Sequence, residues 1–260
     1  MQYVWDLNPV ALSLMGLEVR WYGLSYLAGY FLAVYLGWWL WQNFQNHQPK
    51  ITKAALENFI FSTFIVGVIS ARVGLFLFYY PEIFLSDPLQ ILQVWQGGMS
   101  IHGGLLGATL WGLWQCYQKN WPPLQLSDTF MLPLAIGLFF GRLANFINGE
   151  LYGRVTDQTW GVVFPHIDAL LRHPSQIYEA GKNLILALII YYLIRRGAFK
   201  SPGLVTAVML IGYGTLRFMI EFVREPSGYI GFLTTGQVLC VVMITIGAGL
   251  LYKLLVNYKQ

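Results

Sequence analysis

The chain has 260 residues, 56% of them hydrophobic and only 11% charged, with a formal net charge of +4; an ordinary soluble domain carries about 25% charged residues. So little polar surface excludes a water-soluble fold of this size, and the small, dispersed positive charge excludes a nucleic-acid patch. Two cysteines (Cys116, Cys240) and four histidines (His47, His102, His166, His173) show neither a disulfide framework nor metal-ligand spacing, so the cysteines read as buried space-fillers and no metal or other cofactor is expected.

A membrane-spanning helix needs roughly 20 mostly apolar residues, and only helices or closed barrels satisfy their backbones in lipid. The apolar runs are continuous instead of alternating. They predict an all-α, polytopic membrane protein with about seven transmembrane helices, a single integral membrane domain over 1–260. The first span covers about Arg20 to Trp41; Asp6 and Glu18 precede it where a cleavable signal would have a basic cluster, so no such signal is expected. The second covers Leu56 to Tyr79, with Arg72 inside, and the third Gly98 to Tyr117. The fourth covers Leu126 to Phe146 with Arg142 near its end, the fifth Gln176 to Ile194, the sixth Pro202 to Phe222 and the seventh Phe232 to Val256. The fifth has the weakest pattern. The polar connection between the fourth and fifth spans predicts a small extracytoplasmic cap over 148–176, since long loops are often functional.

Lys and Arg gather in short cytoplasmic loops. An outer N-terminus puts Lys50, Lys53, Lys119, Arg195, Arg196, Lys200, Lys253 and Lys259 inside, and Asp6, Glu18, Glu82, Asp87, Asp157, Asp168 and Glu225 outside. Seven spans then leave the C-terminus in the cytoplasm. The 17% aromatic content suits rings at the two interfaces.

Charges in a bilayer cost at least about 2.5–3.5 kcal/mol each at a helix centre, yet Arg72, Arg142, Arg217 and Glu221 fall within or near spans. Arg217, Glu221 and Arg224, four and three apart, share a helical face. Either Glu221 forms an internal ion pair while an arginine snorkels to the interface, or it holds an arginine ready for an anion. Arg142, Asn145 and Asn148 form a second stripe if the helix continues. Their donors suit a phosphate diester, because a guanidinium bonds two phosphate oxygens at once; helix–helix hydrogen bonding is the structural alternative.

His102 lies in Ser100-Ile101-His102-Gly103-Gly104, as a hydrogen-bonded packing residue or a catalyst. Ser100 cannot face it on a helix and lacks the elbow motif of a serine nucleophile. Gly103 with Gly107, and Gly137 with Gly141, suggest close helix packing. On the residues alone three functions stand open: an enzyme, a lipid or anion transporter, and a lipid-binding scaffold. A flux assay in proteoliposomes separates the second, and covalent product the first.

The segment Gly141-Arg142-Leu143-Ala144-Asn145-Phe146-Ile147-Asn148-Gly149-Glu150-Leu151-Tyr152-Gly153 resembles the signature of the prolipoprotein diacylglyceryl transferases, G-R-x-[GA]-N-F-x-N-x-E-x-x-G, at every fixed position. Further pieces resemble the family in the same order: Arg20-Trp21-Tyr22-Gly23-Leu24, the Ser100–Gly104 stretch, Arg172-His173-Pro174-Ser175-Gln176-Ile177-Tyr178-Glu179, Arg217 to Arg224, and Thr235-Gly236-Gln237. The resemblance implies an enzyme of the bacterial cytoplasmic (inner) membrane with a periplasmic N-terminus, and makes the cap over 148–176 a small periplasmic head. It implies transfer of diacylglyceryl from phosphatidylglycerol to the lipobox cysteine of a prolipoprotein signal peptide, giving a thioether and glycerol phosphate, the first step of lipoprotein maturation.

On that resemblance Arg142 and Arg217 are expected to be essential and to clamp the phosphate, with Tyr22 and Asn145 as further donors. Glu221 would orient Arg217 and Arg224 would assist; Asn148, Glu150 and Gly153 complete the expected substrate-binding set. His102 is the candidate base, with positive potential from the arginines as the alternative way to a thiolate. Both partners, phosphatidylglycerol and prolipoprotein, would enter from the membrane lipid. The role of Arg72 stays open.

Overall fold

The computed structural model describes residues 3–14, 17–44, 51–93, 98–226 and 228–258. His47, Lys50 and Lys259 lie outside them. The helices are α1 (Trp21–Phe44), α2 (Lys53–Tyr79), the short α3 (Pro81–Ser86), α4 (Ile101–Lys119), α5 (Pro123–Ile147), α6 (Ser175–Arg195), α7 (Leu204–Ile220) and α8 (Thr235–Tyr258). Each expected span falls on one of them. Among the described residues five helices, α1, α2, α5, α6 and α8, are long and apolar enough to cross a membrane. The 17-residue α7 is apolar but shorter, and α4 carries Gln115, Gln118 and Lys119 in its 19 residues.

The chain is mostly helical, as expected, and short strands accompany the helices: β1 (Tyr3–Val4), β2 (Val10–Leu14), β3 (Leu17–Arg20), β4 (Val162–Val163), β5 (Leu171–Arg172), β6 (Tyr229–Ile230) and β7 (Leu233–Thr234). All seven precede or link the helices. Strands of two to five residues are too short to show alternation against so apolar a background.

α6 shows what solvent this fold is built for. Its buried face includes Gln176, Glu179, Lys182 and Asn183, each at most 3% exposed. Leu184, Ile185, Leu188 and Ile189 on the other side are 43–60% exposed. In water that arrangement is upside down; in hydrocarbon the apolar side chains meet their own kind while the polar ones find partners inside.

The contacts divide the chain into two compact units, Met1–Asn46 with Ser127–Gln260, and His47–Leu126. In the first, Leu40, Leu132, Ala135, Leu186, Ile190, Val205 and Met209 form a continuous core among α1, α5, α6 and α7. α7 starts at Gly203, whose side chain is too small to cap it, so Asp128 of α5 serves in its place. The carboxylate accepts from the backbone N–H groups of Gly203 (2.7 Å) and Thr206 (2.8 Å) and from the Thr206 hydroxyl (2.6 Å). These are the orphan donors of a helix N-terminus.

Between α5 and α6 the chain builds a small β-containing body. β1 pairs in parallel with β4, and β4 antiparallel with β5. Its centre is the fully buried Phe164, ringed by Trp5, Phe146, Tyr152 and His166. The N-terminal strand is thus part of the body that the sequence assigned to 148–176 alone.

In the second unit α2 and α4 pack closely. A Cβ on Gly103 would stand 2.5 Å from the Ser70 carbonyl oxygen and 2.9 Å from Gly74 Cα, so the backbones meet there, while Gly107 makes room for the Ser70 side chain. Ser100 caps α4, its hydroxyl accepting from the Gly103 N–H at 3.3 Å. Arg72 is 4% exposed and gives its guanidinium hydrogens to the carbonyls of Gln90, Ile91, Gln93 and Gly98, 2.8–3.1 Å away. It braces the segment leading into α4.

Candidate active site

α5 and α7 end, and α6 begins, on the same side of the first unit. Their polar residues therefore meet. Glu179, in the second turn of α6 and fully buried, lies at the centre. Lys182 Nζ is 2.8 Å from it, Arg217 Nε 3.0 Å, Arg224 Nη1 3.5 Å and Arg142 Nε 3.8 Å. Glu221, 2% exposed, pairs with Arg217 Nη1 and stands 3.9 Å from Arg224 Nε. Lys182 is further held by the Asn183 side-chain carbonyl at 3.0 Å and the face of Tyr213 at 3.7 Å.

Four cations against two carboxylates leave a surplus of two positive charges. The lysine is sealed at 3% exposure, whereas Arg142, Arg217 and Arg224 keep 13–17% of their side-chain surface open. Burial pushes the Arg224 guanidinium below its ordinary range, as do Arg217 and Arg142; the two carboxylates oppose them. Arg142 Nη1 is buried with no hydrogen-bond partner among the described residues. Buried donors are nearly always paired; Arg224 Nε is likewise without a hydrogen-bond partner among the described residues.

A second layer adjoins Arg142. α5 stops at Ile147 and Gly149 turns the chain at φ +67°, so the expected stripe through Asn148 is not helical. Asn145 and Asn148 are nonetheless joined, both donating to Glu150 Oε1, at 2.7 and 3.3 Å. Gln176 at the start of α6 donates to the Glu150 carbonyl at 2.7 Å. Tyr22 on α1 shares a hydrogen bond of 3.2 Å with Tyr26 and lies within electrostatic reach of Glu150 and Arg142.

Gly153 lies where three stretches of backbone converge. A Cβ there would stand 2.5 Å from the Val223 carbonyl oxygen and 2.7 Å from His173 Cβ. It bridges to Arg224 and its N–H donates to the His173 carbonyl at 2.9 Å. Its missing side chain lets three backbones meet and so fixes the segment carrying Arg224.

The structure thus gathers Arg142, Arg217, Glu221 and Arg224, with Tyr22, Asn145, Asn148 and Glu150 beside Arg142. His102 belongs to the second unit, exposed in the first turn of α4. In the sequence Glu179 stands out only as the end of a family-like stretch, with no role assigned, and Lys182 not at all. Their signal was the weakness of the fifth span: an acid and a lysine three apart in an otherwise apolar helix share a face and need partners.

The family model of the prolipoprotein diacylglyceryl transferases matches residues 9–253. The chain belongs to this family. It is 41% identical over 252 residues to the phosphatidylglycerol–prolipoprotein diacylglyceryl transferase of Sinorhizobium medicae (93% of this chain, 90% of the relative). It is 41% identical over 253 residues to the protein of that name in Rickettsia felis (95% and 96%), and 41% over 252 residues to that of Bordetella parapertussis (94% of each). The family match spans every member of the ion network.

Proposed function

We propose that the network around Glu179 is the phosphate site of a phosphatidylglycerol–prolipoprotein diacylglyceryl transferase, the enzyme of the first step in lipoprotein maturation. The supporting observation is the surplus of two positive charges on arginines that are buried but not sealed, with Arg142 Nη1 and Arg224 Nε lacking a hydrogen-bond partner among the described residues. Two negative charges take part in the chemistry: the phosphate diester and the attacking thiolate. Both gain from such a surplus, the thiolate through a lowered thiol pKa.

The lipobox sulfur attacks the glyceryl carbon that bears the phosphate. A C–S bond forms, the C–O bond to phosphorus breaks, and the electron pair leaves on glycerol phosphate. Arg142 and Arg217 hold the phosphate oxygens, where charge builds as that bond breaks. Donors fixed beforehand are worth most at this point. Tyr22 and Asn145 line the approach, and Glu150 sets the Asn145 and Asn148 amides. His102 is the base that takes the thiol proton. In this reading the chain is one integral membrane domain of seven spans in the bacterial inner membrane. Its N-terminus and the 148–176 head face the periplasm and its C-terminus the cytoplasm. Both substrates arrive from the lipid.

Mass spectrometry of a lipobox peptide incubated with the purified protein and phosphatidylglycerol vesicles is the direct test, with a diacylglyceryl adduct on the cysteine as the expected product. Arg217→Ala is expected to abolish it. Wild-type turnover by that variant removes the clamp, and normal turnover by His102→Gln removes the base alone.

A further inference from the structure

The stretch Thr235-Gly236-Gln237 takes no part in the chemistry above, yet the start of α8 touches it. Thr234 and Gln237 form a reciprocal cap. The Thr234 hydroxyl oxygen accepts from the Gln237 N–H at 3.1 Å, and the Gln237 side-chain oxygen accepts from the Thr234 N–H at 3.0 Å. That leaves the hydroxyl proton free, and it points at Glu221 Oε1, 2.9 Å away. Thr234, Gln237 and Glu221 are 4%, 4% and 2% exposed, so water competes little for this bond. Gly236 lies against the same carboxylate: a Cβ there would stand 2.5 Å from Oε1 and 2.9 Å from Oε2. Only glycine lets Glu221 rest on the first turn of α8, where the helix N-terminus favours negative charge.

Glu221 therefore has two sides. Oε1 is tied to α8, and Oε2 faces Arg217 and Arg224. We propose that Thr234 and Gly236 are positioning residues of the transfer reaction, fixing the Glu221 carboxylate so that it presents Arg217 to the phosphate. They touch no reacting atom. The proposal rests on the clamp reading of Arg217.

The test measures kcat and KM for phosphatidylglycerol on the full-length protein with a lipobox peptide. Thr234→Val keeps the shape and removes the donor. A hydrogen bond to a charged group is worth about 1.5–3 kcal/mol, so kcat is expected to fall roughly 10- to 100-fold with KM little changed. Thr234→Ser restores kcat to within about threefold. Gly236→Ala lowers kcat similarly, although alanine favours the helix. Gln237→Ala breaks the same cap without touching Glu221; it lowers the thermal midpoint as much as Thr234→Val does but keeps kcat within about threefold. Adding Thr234→Val to Glu221→Gln costs less than about threefold more, because the two act through one contact.

Wild-type kcat in both Thr234→Val and Gly236→Ala, or full additivity with Glu221→Gln, overturns the proposal. A loss in Gln237→Ala equal to that in Thr234→Val also overturns it, by reducing it to helix capping. If Arg217→Ala is inactive while Thr234→Val and Gly236→Ala are normal, only the positioning falls. If Arg217→Ala is normal, the clamp falls first.

Discussion

Arg72 and Arg142 both sit on long apolar helices, and the protein treats them in opposite ways. Arg72 spends its guanidinium hydrogens on four main-chain carbonyls and is sealed at 4% exposure. The dipoles of those carbonyls stabilise its charge. Arg142 keeps a buried Nη1 with no acceptor among the described residues and shares Glu179 with three other cations. A saturated guanidinium holds a loop in place. An unsaturated one, in a cluster with excess like charge, stores unfavourable energy that an anion can relieve. The difference separates scaffold from site without reference to the reaction.

Substitution should pull these two apart most strongly. Arg142→Ala is expected to lower turnover by about 10³-fold, the scale of losing one preorganised donor to a developing anion. Its thermal midpoint should hold or rise, since a crowded cation is gone. Arg72→Met should do the reverse. Four carbonyls lose their donor at about 1–3 kcal/mol each where they stay buried, so the detergent-solubilised protein should melt lower, while the folded fraction retains its arginine cluster. Melting curves and turnover per folded molecule check both. Equal melting losses in the two variants would erase the distinction.

Glu179→Gln probes the hub itself. Removing one partner of a buried ion network costs about 3–5 kcal/mol, and here three arginines and a lysine would be left with Glu221 alone. Positive charge rises while order falls. KM for phosphatidylglycerol is therefore expected to hold or drop, and kcat to fall about 100-fold, since misplaced donors bind an anion but do not track its transition state. A raised KM with unchanged kcat would make Glu179 part of lipid binding instead of arginine placement.

The helices were legible because each is a long apolar run, the signal that lipid imposes most strongly. Arg142, Arg217 and Glu221 were legible for the same reason inverted: a charge in such a run needs an account. What stayed hidden depends on three dimensions. Glu179 and Lys182 read as weakness in a span because their partners on other elements lie 31 or more residues away. The close backbone approach at Gly153 was hidden because a motif records that a residue is needed and not why. The short strands, and the N-terminal strand's place in the head, escaped because two paired residues leave no periodicity. Arg72 and the carbonyls it holds lie far apart in the chain, and carbonyls carry no sequence signature.

The smallest effect is expected in the head, and it tests whether the electrostatic site stops at the arginine cluster. Arg172 on β5 grips Asp168 at 2.6 Å, lies over Tyr152 and donates to the Gly153 carbonyl at 3.3 Å. These bonds, with the Leu170 N–H, hold the Asp168 carboxyl below the usual carboxylate range. A lowered carboxylate pKa stabilises the fold above its ordinary value, and the gain fades as pH falls through the lowered one. Asp168→Asn should thus speed amide exchange around Leu171 and Arg172 at neutral pH, and the gap from wild type should close in strong acid. Arg172 keeps 12% and Asp168 29% of its side-chain surface open, so solvent screens the pair in part and the effect is modest. Turnover at neutral pH should stay within about twofold, because among the described residues the Asp168 carboxylate pairs with Arg172 and with no arginine of the cluster. A loss as large as that of Glu179→Gln would mean that Asp168 and Arg172 reach the chemistry through Gly153 and Arg224, and the boundary drawn around the arginine cluster would be too narrow.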